Sequence, residues 1–292
     1  MKCVSYNIQY GIGLDERYDL ARIIDRVRGA DVIALQEVTR NHADNGGRDM
    51  VAEIRALLPD YFAVYGPNFE ADMGSHIKDG KAVDLYFQFG NMVLSKTAIR
   101  SSRNLLLPRR RSFDAINLQR GALEALIDTA LFGPMRFYSV HLDHRVPEER
   151  ARQARFLMDR VTGYAIEGGA LTGLSERGFP EPPLPEAYML LGDFNMLADS
   201  MEYREIAGSP DHAVGMPRAA DIAVDAARLV AETTGTEAAI TWIEPKAPDD
   251  TSFWKRIDYG FIWPGLAGQM KASWVDAQAD GSDHKPVWFE FG

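Results

Sequence analysis

Apolar residues recur along the chain with two different periods, and these divide it into helices and strands. Leu20, Ile23, Ile24 and Val27 sit at i, i+3, i+4 and i+7, one stripe of an amphipathic helix that Gly29 ends. The run Asp31 to Gln36, with Val32 to Leu35 at its centre, has the β-branched, continuously apolar character of a strand covered on both faces. With the strand-like start Lys2 to Asn7, the opening unit is strand, helix, strand. A second helix is predicted from Gly47 to Leu58, stopped by Pro59, followed by a strand from Tyr61 to Tyr65. Further strands are predicted over Gly90 to Leu94, Ile116 to Asp128 and Met135 to Leu142, with Gly133-Pro134 as the hairpin break. Pro147 opens a helix with Glu148 and Glu149 in its first turn, favourable to the helix dipole, and Ala151, Ala154, Met158 and Val161 on one stripe. The stretch Gly168 to Pro185 is rich in Gly and Pro and reads as an exposed loop, a lid or simply a mobile connection. Strands Tyr188 to Leu191, Ile257 to Trp263 and Val287 to Phe291 complete the reading. No repeat, low-complexity tract or linker interrupts it, so residues 1–292 are expected to form a single domain.

Composition narrows the class. With 292 residues, 46% hydrophobic and 25% charged, the chain is an ordinary globular one. Its apolar runs fall far short of the roughly 18 residues a membrane-spanning helix needs, so no membrane span is expected. Met1 leads straight into a strand without an apolar leader, and one cysteine makes neither an internal disulfide nor a cysteine-based zinc cage. The cytoplasm is the expected compartment, and Cys3 a packing residue. Against 32 basic residues stand 42 acidic ones, a net charge of -10. That sign disfavours sequence-independent binding to nucleic acid or anionic membrane, because such binding is driven by cations displacing counterions at phosphates. It lowers a nuclease reading without removing it, since a bound divalent metal or a local basic cluster can neutralise a polyanion.

Candidate chemistry clusters at strand ends. Asn7 ends the first strand, Glu37 follows the second, His141 ends a middle one, Asp193 and Asn195 follow a fourth, and Asp283-His284 precede the last. Taken singly, each has a plain structural reading: a turn cap, a surface carboxylate, a core histidine, an Asx turn. Together they place carboxylate, imidazole and amide groups on rigid supports at one sheet edge, which suggests a shared site.

Six segments carry a resemblance. Asn7 in its strand, Gln36-Glu37-Val38, His141 in Ser139-Val140-His141-Leu142, Gly192-Asp193-Phe194-Asn195, Arg256-Ile257-Asp258-Tyr259 and Ser282-Asp283-His284-Lys285-Pro286-Val287 resemble, in order, the endonuclease/exonuclease/phosphatase superfamily with its DNase I-like fold. The resemblance spans positions 7 to 287. It implies an α/β four-layer α-β-β-α sandwich, two packed mixed β-sheets flanked by helices, with the active site at one edge. Glu37 would be the principal ligand of Mg²⁺ or Mn²⁺, with Asn7 and Asp283 close to the metal and its waters; all-oxygen ligation suits a hard cation. Asp193 would orient or deprotonate the attacking water, Asn195 hold the water or a phosphate oxygen, and His284 bind the scissile phosphate. Asp258 would pair with His284 and favour its imidazolium form, and His141 would stand by as a second donor.

Other residues keep two readings. Arg120, in Arg120-Gly121-Ala122-Leu123, resembles a short motif that precedes the histidine strand in relatives, where it reaches a phosphate; otherwise it is a strand-surface arginine. Arg109-Arg110-Arg111 is either a polyanion contact or a solvated charge run. His76 and Lys78 are candidates for the cleft wall, and Trp242, Phe253 and Trp254 either flank substrate or pack the core. His144 is expected to be structural.

Competing schemes fail on spacing. Gly173-Leu174-Ser175-Glu176-Arg177 lacks the second glycine of a nucleophile elbow, and Gly74 to Lys81 is one residue too long for a P-loop and lacks its Ser or Thr. A binuclear calcineurin-like hydrolase needs more histidines than the six present. The expected function is divalent-metal-dependent hydrolysis of a phosphodiester, small-molecule or lipid-derived, by in-line attack of an activated water. The acidic charge and Leu171, Leu174 and Phe179 in the Gly168 to Pro185 loop favour that substrate class. The alternatives are a DNA nuclease, abasic-site or exonucleolytic, and a non-catalytic interaction module on the same fold.

Overall fold

The computed structural model describes residues 1–292 except 114, 115, 212, 214, 217, 236 and 237. Strand β1 (Lys2–Asn7) leads through α1 (Leu20–Asp25) to β2 (Val32–Arg40), which lies parallel to β1 with Asn7 opposite Gln36. Asp19 starts the helix by accepting from the Arg22 amide. Helix α2 (Met50–Leu57), capped in the same way by Asp49, is followed by β3 (Phe62–Asp72), a small exposed hairpin of β4 (His76–Lys78) and β5 (Lys81–Val83), and β6 (Tyr86–Ser95). The second half builds β7 (Ile99–Leu106), β8 (Gly121–Thr129), β9 (Gly133–His141), α3 (Pro147–Thr162), α4 (Tyr164–Glu167), β10 (Tyr188–Asp193), α5 (Met201–Ala207), β11 (Val224–Asp225), α6 (Ala226–Thr234) and β12 (Asp258–Ile262). Strands β13 (Met270–Val275) and β14 (Val287–Phe291) return to the first sheet.

Two six-stranded mixed sheets result, in the orders β13-β14-β1-β2-β6-β3 and β11-β12-β10-β9-β8-β7. Alternation along each strand assigns its two faces. Val4, Tyr6, Ile33 and Leu35 point outward under α1 and α2, while Cys3, Val32 and Ala34 point inward to meet Leu123, Phe137, Met189 and Leu191 of the opposite sheet. On the far side, Tyr138, Val140, Leu190 and Phe261 are covered by Ala154, Leu157 and Val161 of α3 and Tyr203 and Ile206 of α5. This is the four-layer α-β-β-α sandwich expected from the resemblance. Among the described residues no helix is long and apolar enough to cross a membrane. Cys3 is fully buried between the sheets, and burial raises its thiol pKa, so it is a packing residue.

Several boundaries differ from the sequence reading. The strand expected over Ile116 to Asp128 begins only at Gly121, because its partner β7 ends at Leu106 opposite that residue; Ile116 is solvent-exposed. Helix α2 is shorter than predicted, and β3 runs on to Asp72 against β6. Strands β7 and β13 escaped prediction because both lie at sheet edges and mix polar with apolar positions. The Gly168 to Pro185 loop is an exposed connection with one short helical turn, Leu174–Arg177, tied to itself by Glu181. It enters β10 at Tyr188, five residues and about 17 Å of extended chain from Asp193 at the strand's other end.

Candidate active site

The sheet registers gather the polar strand ends. Asp193, the last residue of β10, stands opposite His141 on parallel β9 and opposite Asp258 on antiparallel β12, so three chain segments deliver one row of side chains. Asn7 ends β1 facing them across the sandwich. Glu37 arrives by a local irregularity: the pairing of β2 with β6 slips between Leu35 and Val38, and Glu37 has φ 60°. A bulge with a non-glycine residue in left-handed backbone is unfavourable, and here it re-aims the carboxylate into the cleft. Asn195 is left-handed too, with φ 50°. Behind the cleft a polar clasp joins the sheets. Gln36 Nε2 donates to Ser139 Oγ at 2.9 Å, Ser139 Oγ donates to Leu35 O at 2.9 Å, and Asn91 Nδ2 donates to Gly121 O and Ser139 O.

Within the cleft, Asn7 Nδ2 donates to Asp193 Oδ2 at 3.0 Å and reaches Glu37 Oε1 at 3.4 Å. Asn195 Nδ2 donates to the same Asp193 oxygen at 3.2 Å and to Leu142 O. His141 Nε2 lies 3.4 Å from Asp193 Oδ2 and 4.0 Å from Glu37 Oε1. His284 Nδ1 pairs with Asp258 Oδ2 at 2.8 Å, which leaves its Nε2 3.7 Å from Asp193 Oδ2 and 4.0 Å from Asp283 Oδ1. All the expected core residues, Asn7, Glu37, His141, Asp193, Asn195, Asp258, Asp283 and His284, therefore gather in one cluster of contacts.

Their charges are set by one another. Burial alone would lower the His284 pKa, but Asp258, Asp283 and Asp193 surround the ring and hold it well above the ordinary histidine value, as an imidazolium. Burial pushes Asp258 up to about 6 against the pull of His284, so the proton of that pair resides on the ring near neutral pH. His141 is the opposite case: burial and the Arg120 guanidinium push it down to about 4, and it is neutral at pH 7. Asp193 is kept below the usual carboxylate range despite burial by His284, His141 and the Asn7 amide. Glu37 is raised to about 7 by desolvation and by the nearby Asp283. Two imidazoles, one charged and one neutral, thus face carboxylates of opposite tendency.

Arg120 is not a strand-surface arginine: it is 3% exposed and set against His141, with Nη1 2.7 Å from Nε2. Arg109, Arg110 and Arg111 lie exposed on the connection before β8, where Arg110 N donates to Glu149 and Arg111 covers Phe113. His76 and Lys78 sit on the exposed β4–β5 hairpin, where His76 Nδ1 lies 3.1 Å from Gly74 O. Phe253 is half exposed, and Trp254 donates to Pro248 O.

Sequence reasoning named Trp242 and Ser282 without the supporting contacts they make, and missed Thr241 altogether. Trp242 Nε1 donates to Asp283 Oδ2 at 3.0 Å, which sets this half-buried indole against a site carboxylate. Thr241 Oγ1 accepts from the amides of Ile257 and Asp258, and Ser282 Oγ donates to Asn7 O and accepts from His284 N. The adjacency of Ser282 to Asp283-His284 was the only available signal; nothing local marks Thr241. His144, expected to be structural, contacts Arg120 at 2.9 Å.

A two-sheet sandwich with carboxylates, amides and imidazoles gathered where its parallel strands end defines the class: a DNase I-like α/β protein. The chain belongs to the Endonuclease/Exonuclease/phosphatase family, whose sequence profile matches residues 4–284. Members of that family are hydrolases acting on phosphoester bonds. Among solved structures it is similar to an endonuclease/exonuclease/phosphatase from Bacteroides vulgatus, at 19% identity and TM-score 0.64, covering 100% of this chain and 98% of that one. A mannosyl-6-phosphatase from Bacteroides thetaiotaomicron matches at 16% identity and TM-score 0.61, covering 100% and 99%. A 3′ phosphatase from Neisseria, bound to a product DNA hairpin, matches at 17% identity and TM-score 0.57, covering 100% and 99%. No curated protein matches the chain. At these identities the likeness is one of fold.

Proposed function

We propose that the protein is a divalent-metal-dependent phosphoesterase that hydrolyses a phosphodiester, small-molecule or lipid-derived, by in-line attack of an activated water. The observation that carries this reading is the pairing of a cationic His284, fixed by Asp258 at 2.8 Å, with the ionised Asp193 3.7 Å from its other nitrogen. A phosphate oxygen bound by His284 would lie beside the carboxylate that orients the water. Asn7 and Asn195 hold Asp193 by its Oδ2, and with both hydrogens of its amide nitrogen committed to Asp193 and Leu142 O, Asn195 would hold the water through its carbonyl oxygen. Neutral His141 supplies one further N–H. No covalent intermediate is required.

The donor set fits a hard cation. Asp193, Asp258 and His284 have ligand atoms within 4.8 Å of one another. Yet His284 is protonated, and its Nδ1 is already bonded to Asp258, so that trio is a poor metal site. Glu37, with Asp283 and Asn7 beside it, offers oxygen ligands, and its raised pKa reflects crowded, desolvated negative charge that a divalent cation offsets. These three residues would hold Mg²⁺ or Mn²⁺, which when bound supplies electrophilic stabilisation of the phosphate and polarises water. The Gly168 to Pro185 loop enters its strand at the end remote from the site, so its apolar residues lend the lipid-derived substrate no support; the acidic net charge still favours a small substrate over duplex DNA. The family profile spans most of the chain, in keeping with one catalytic domain over residues 1–292. A buried free thiol is in keeping with the cytoplasm.

The test is hydrolysis of bis(4-nitrophenyl) phosphate. Activity is expected with Mg²⁺ or Mn²⁺ and not in EDTA, and Glu37→Gln or His284→Ala lowers kcat by about a hundredfold or more. A protein inactive with both metals, and indifferent to both substitutions, is an interaction module. A second reading, a DNA-directed nuclease or phosphatase, draws on the Neisseria neighbour bound to DNA; it requires DNA binding that weakens steeply with salt.

A further inference from the structure

Three residues beyond β9, in the turn that leads into α3, an imidazole is wedged between two guanidiniums. Arg120 Nη2 lies 2.9 Å from His144 Nδ1, and Arg145 Nε lies 3.1 Å from His144 Nε2. A guanidinium carries donors only, and a neutral imidazole one donor and one acceptor. Partial desolvation and the charges of Arg120 and Arg145 hold His144 below the ordinary histidine pKa despite Asp143, so the ring is neutral. Only one of its two contacts can then be a hydrogen bond; the other sets donor against donor. Arg120 adds to the surplus, because its Nε is buried without a hydrogen-bond partner. The carboxylate in the same turn brings no relief: Asp143 Oδ1 accepts from the amides of Arg145 and Val146, and its Oδ2 has no partner. His144 and Arg145 are open to solvent, and Arg120 links them directly to His141 at the cleft.

We propose that His144 and Arg145, with Nη2 of Arg120, form a second anion subsite beside the hydrolytic cleft, so that the substrate carries a second phosphate next to the scissile one. The proposal deepens the phosphoesterase reading and rests on it. A phosphate offers acceptors on every side. Placed among these groups, it accepts from both guanidiniums and from whichever imidazole nitrogen carries the proton, which removes the donor conflict. The chain's acidic total does not oppose this, since the subsite is locally rich in cations. A small bisphosphate and the neighbouring phosphate of a nucleic-acid strand share the required chemistry.

Calorimetry in EDTA separates the possibilities without any turnover. Methylenediphosphonate is expected to bind the wild-type protein at least about tenfold more tightly than methylphosphonate, and Arg145→Met and His144→Ala each to bring that ratio below about threefold, the scale of one charge-assisted contact. Thermal melts of both variants check the fold, which exposed positions should preserve. Trithymidylate binding more tightly than methylenediphosphonate, and weakened by the same substitutions, assigns the second phosphate to a nucleic-acid strand; the reverse order assigns it to a small bisphosphate. Equal affinity of the two phosphonates for the wild-type protein, including no heat from either, or a ratio that survives both substitutions, overturns the subsite. Because no step is catalytic, that failure leaves hydrolysis of bis(4-nitrophenyl) phosphate to be judged separately.

Discussion

The protonation of His284 rests first on Asp258, whose Oδ2 meets Nδ1 at 2.8 Å, with Asp283 and Asp193 adding their charge. Asp258→Asn preserves the shape of that contact but removes the charge and reverses the tautomer preference, so kcat is expected to fall on the order of a hundredfold to ten-thousandfold while KM changes much less. Steady-state kinetics on bis(4-nitrophenyl) phosphate check this. At the rim, His42 stacks on Tyr10 with ring centroids 4.4 Å apart, and burial lowers its pKa against the pull of Asp44. The unfolded chain therefore takes up this proton at higher pH than the folded one does. Stability from His42 is fully present above the ordinary histidine value near 6.5 and is lost as pH falls through the lower folded value. His42→Phe, which keeps the stacked ring, is expected to flatten the fall in Tm between about pH 7.5 and 5 relative to wild type; parallel melting curves for the two proteins contradict it. At this scale the sequence reveals which side chains carry chemistry, because carboxylates and imidazoles at the ends of apolar strands are uncommon company. It does not reveal their charge states. Nothing in Ser-Val-His-Leu says that His141 is neutral while His284 is charged; burial and Arg120 at one ring and three carboxylates around the other decide that.

Among the elements, β9 and β10 show how closely register is enforced. A β-carbon at Gly192 would lie 2.0 Å from Val140 O on the neighbouring strand, so no side chain fits there without moving backbone. Gly192→Ala is expected to cost about 1–3 kcal/mol or more and to lower Tm by several degrees, with activity reduced because Asp193 is displaced; a melt unchanged from wild type refutes this. The Gly168 to Pro185 connection gives the opposite forecast. Its ties are local, apart from Arg103 to Gly169 O, and it joins β10 at the end away from the cleft. Replacing 170–183 by a short Gly-Ser link should leave kcat unchanged and shift Tm by only a few degrees, as loop-closure entropy varies slowly with length. A large loss of activity would mean that the loop folds over the cleft. Buried strands and amphipathic helices were legible because burial imposes a period; β7, β13 and the β4–β5 hairpin were not, since an edge or exposed strand keeps its backbone pairing without an apolar pattern.

For the molecule as a whole, the order of strands in the first sheet makes the two ends of the chain interdependent. β14 lies between β13 and β1, with Ser5 opposite Val287 and Lys2 opposite Glu290. Removing Val287–Phe291 strips an interior strand and uncovers the inter-sheet core that Phe289 and Phe291 fill, so such a truncation is expected not to fold, whereas the full chain is expected to melt in one calorimetric transition. Two separable transitions would mean two domains. By itself the sequence determined the types of the buried elements, the two-faced strands and the identity of the polar residues, because each follows from the local period of burial and from side-chain chemistry. Only tertiary structure decided that the ends of β1, β2, β9, β10 and β12 meet, that a slipped β2 aims Glu37 into their midst, and that Trp242, Thr241 and Ser282 fasten them. Those outcomes depend on pairings between residues far apart in the chain, and pairing energy is a property of the closed sheets rather than of any one segment.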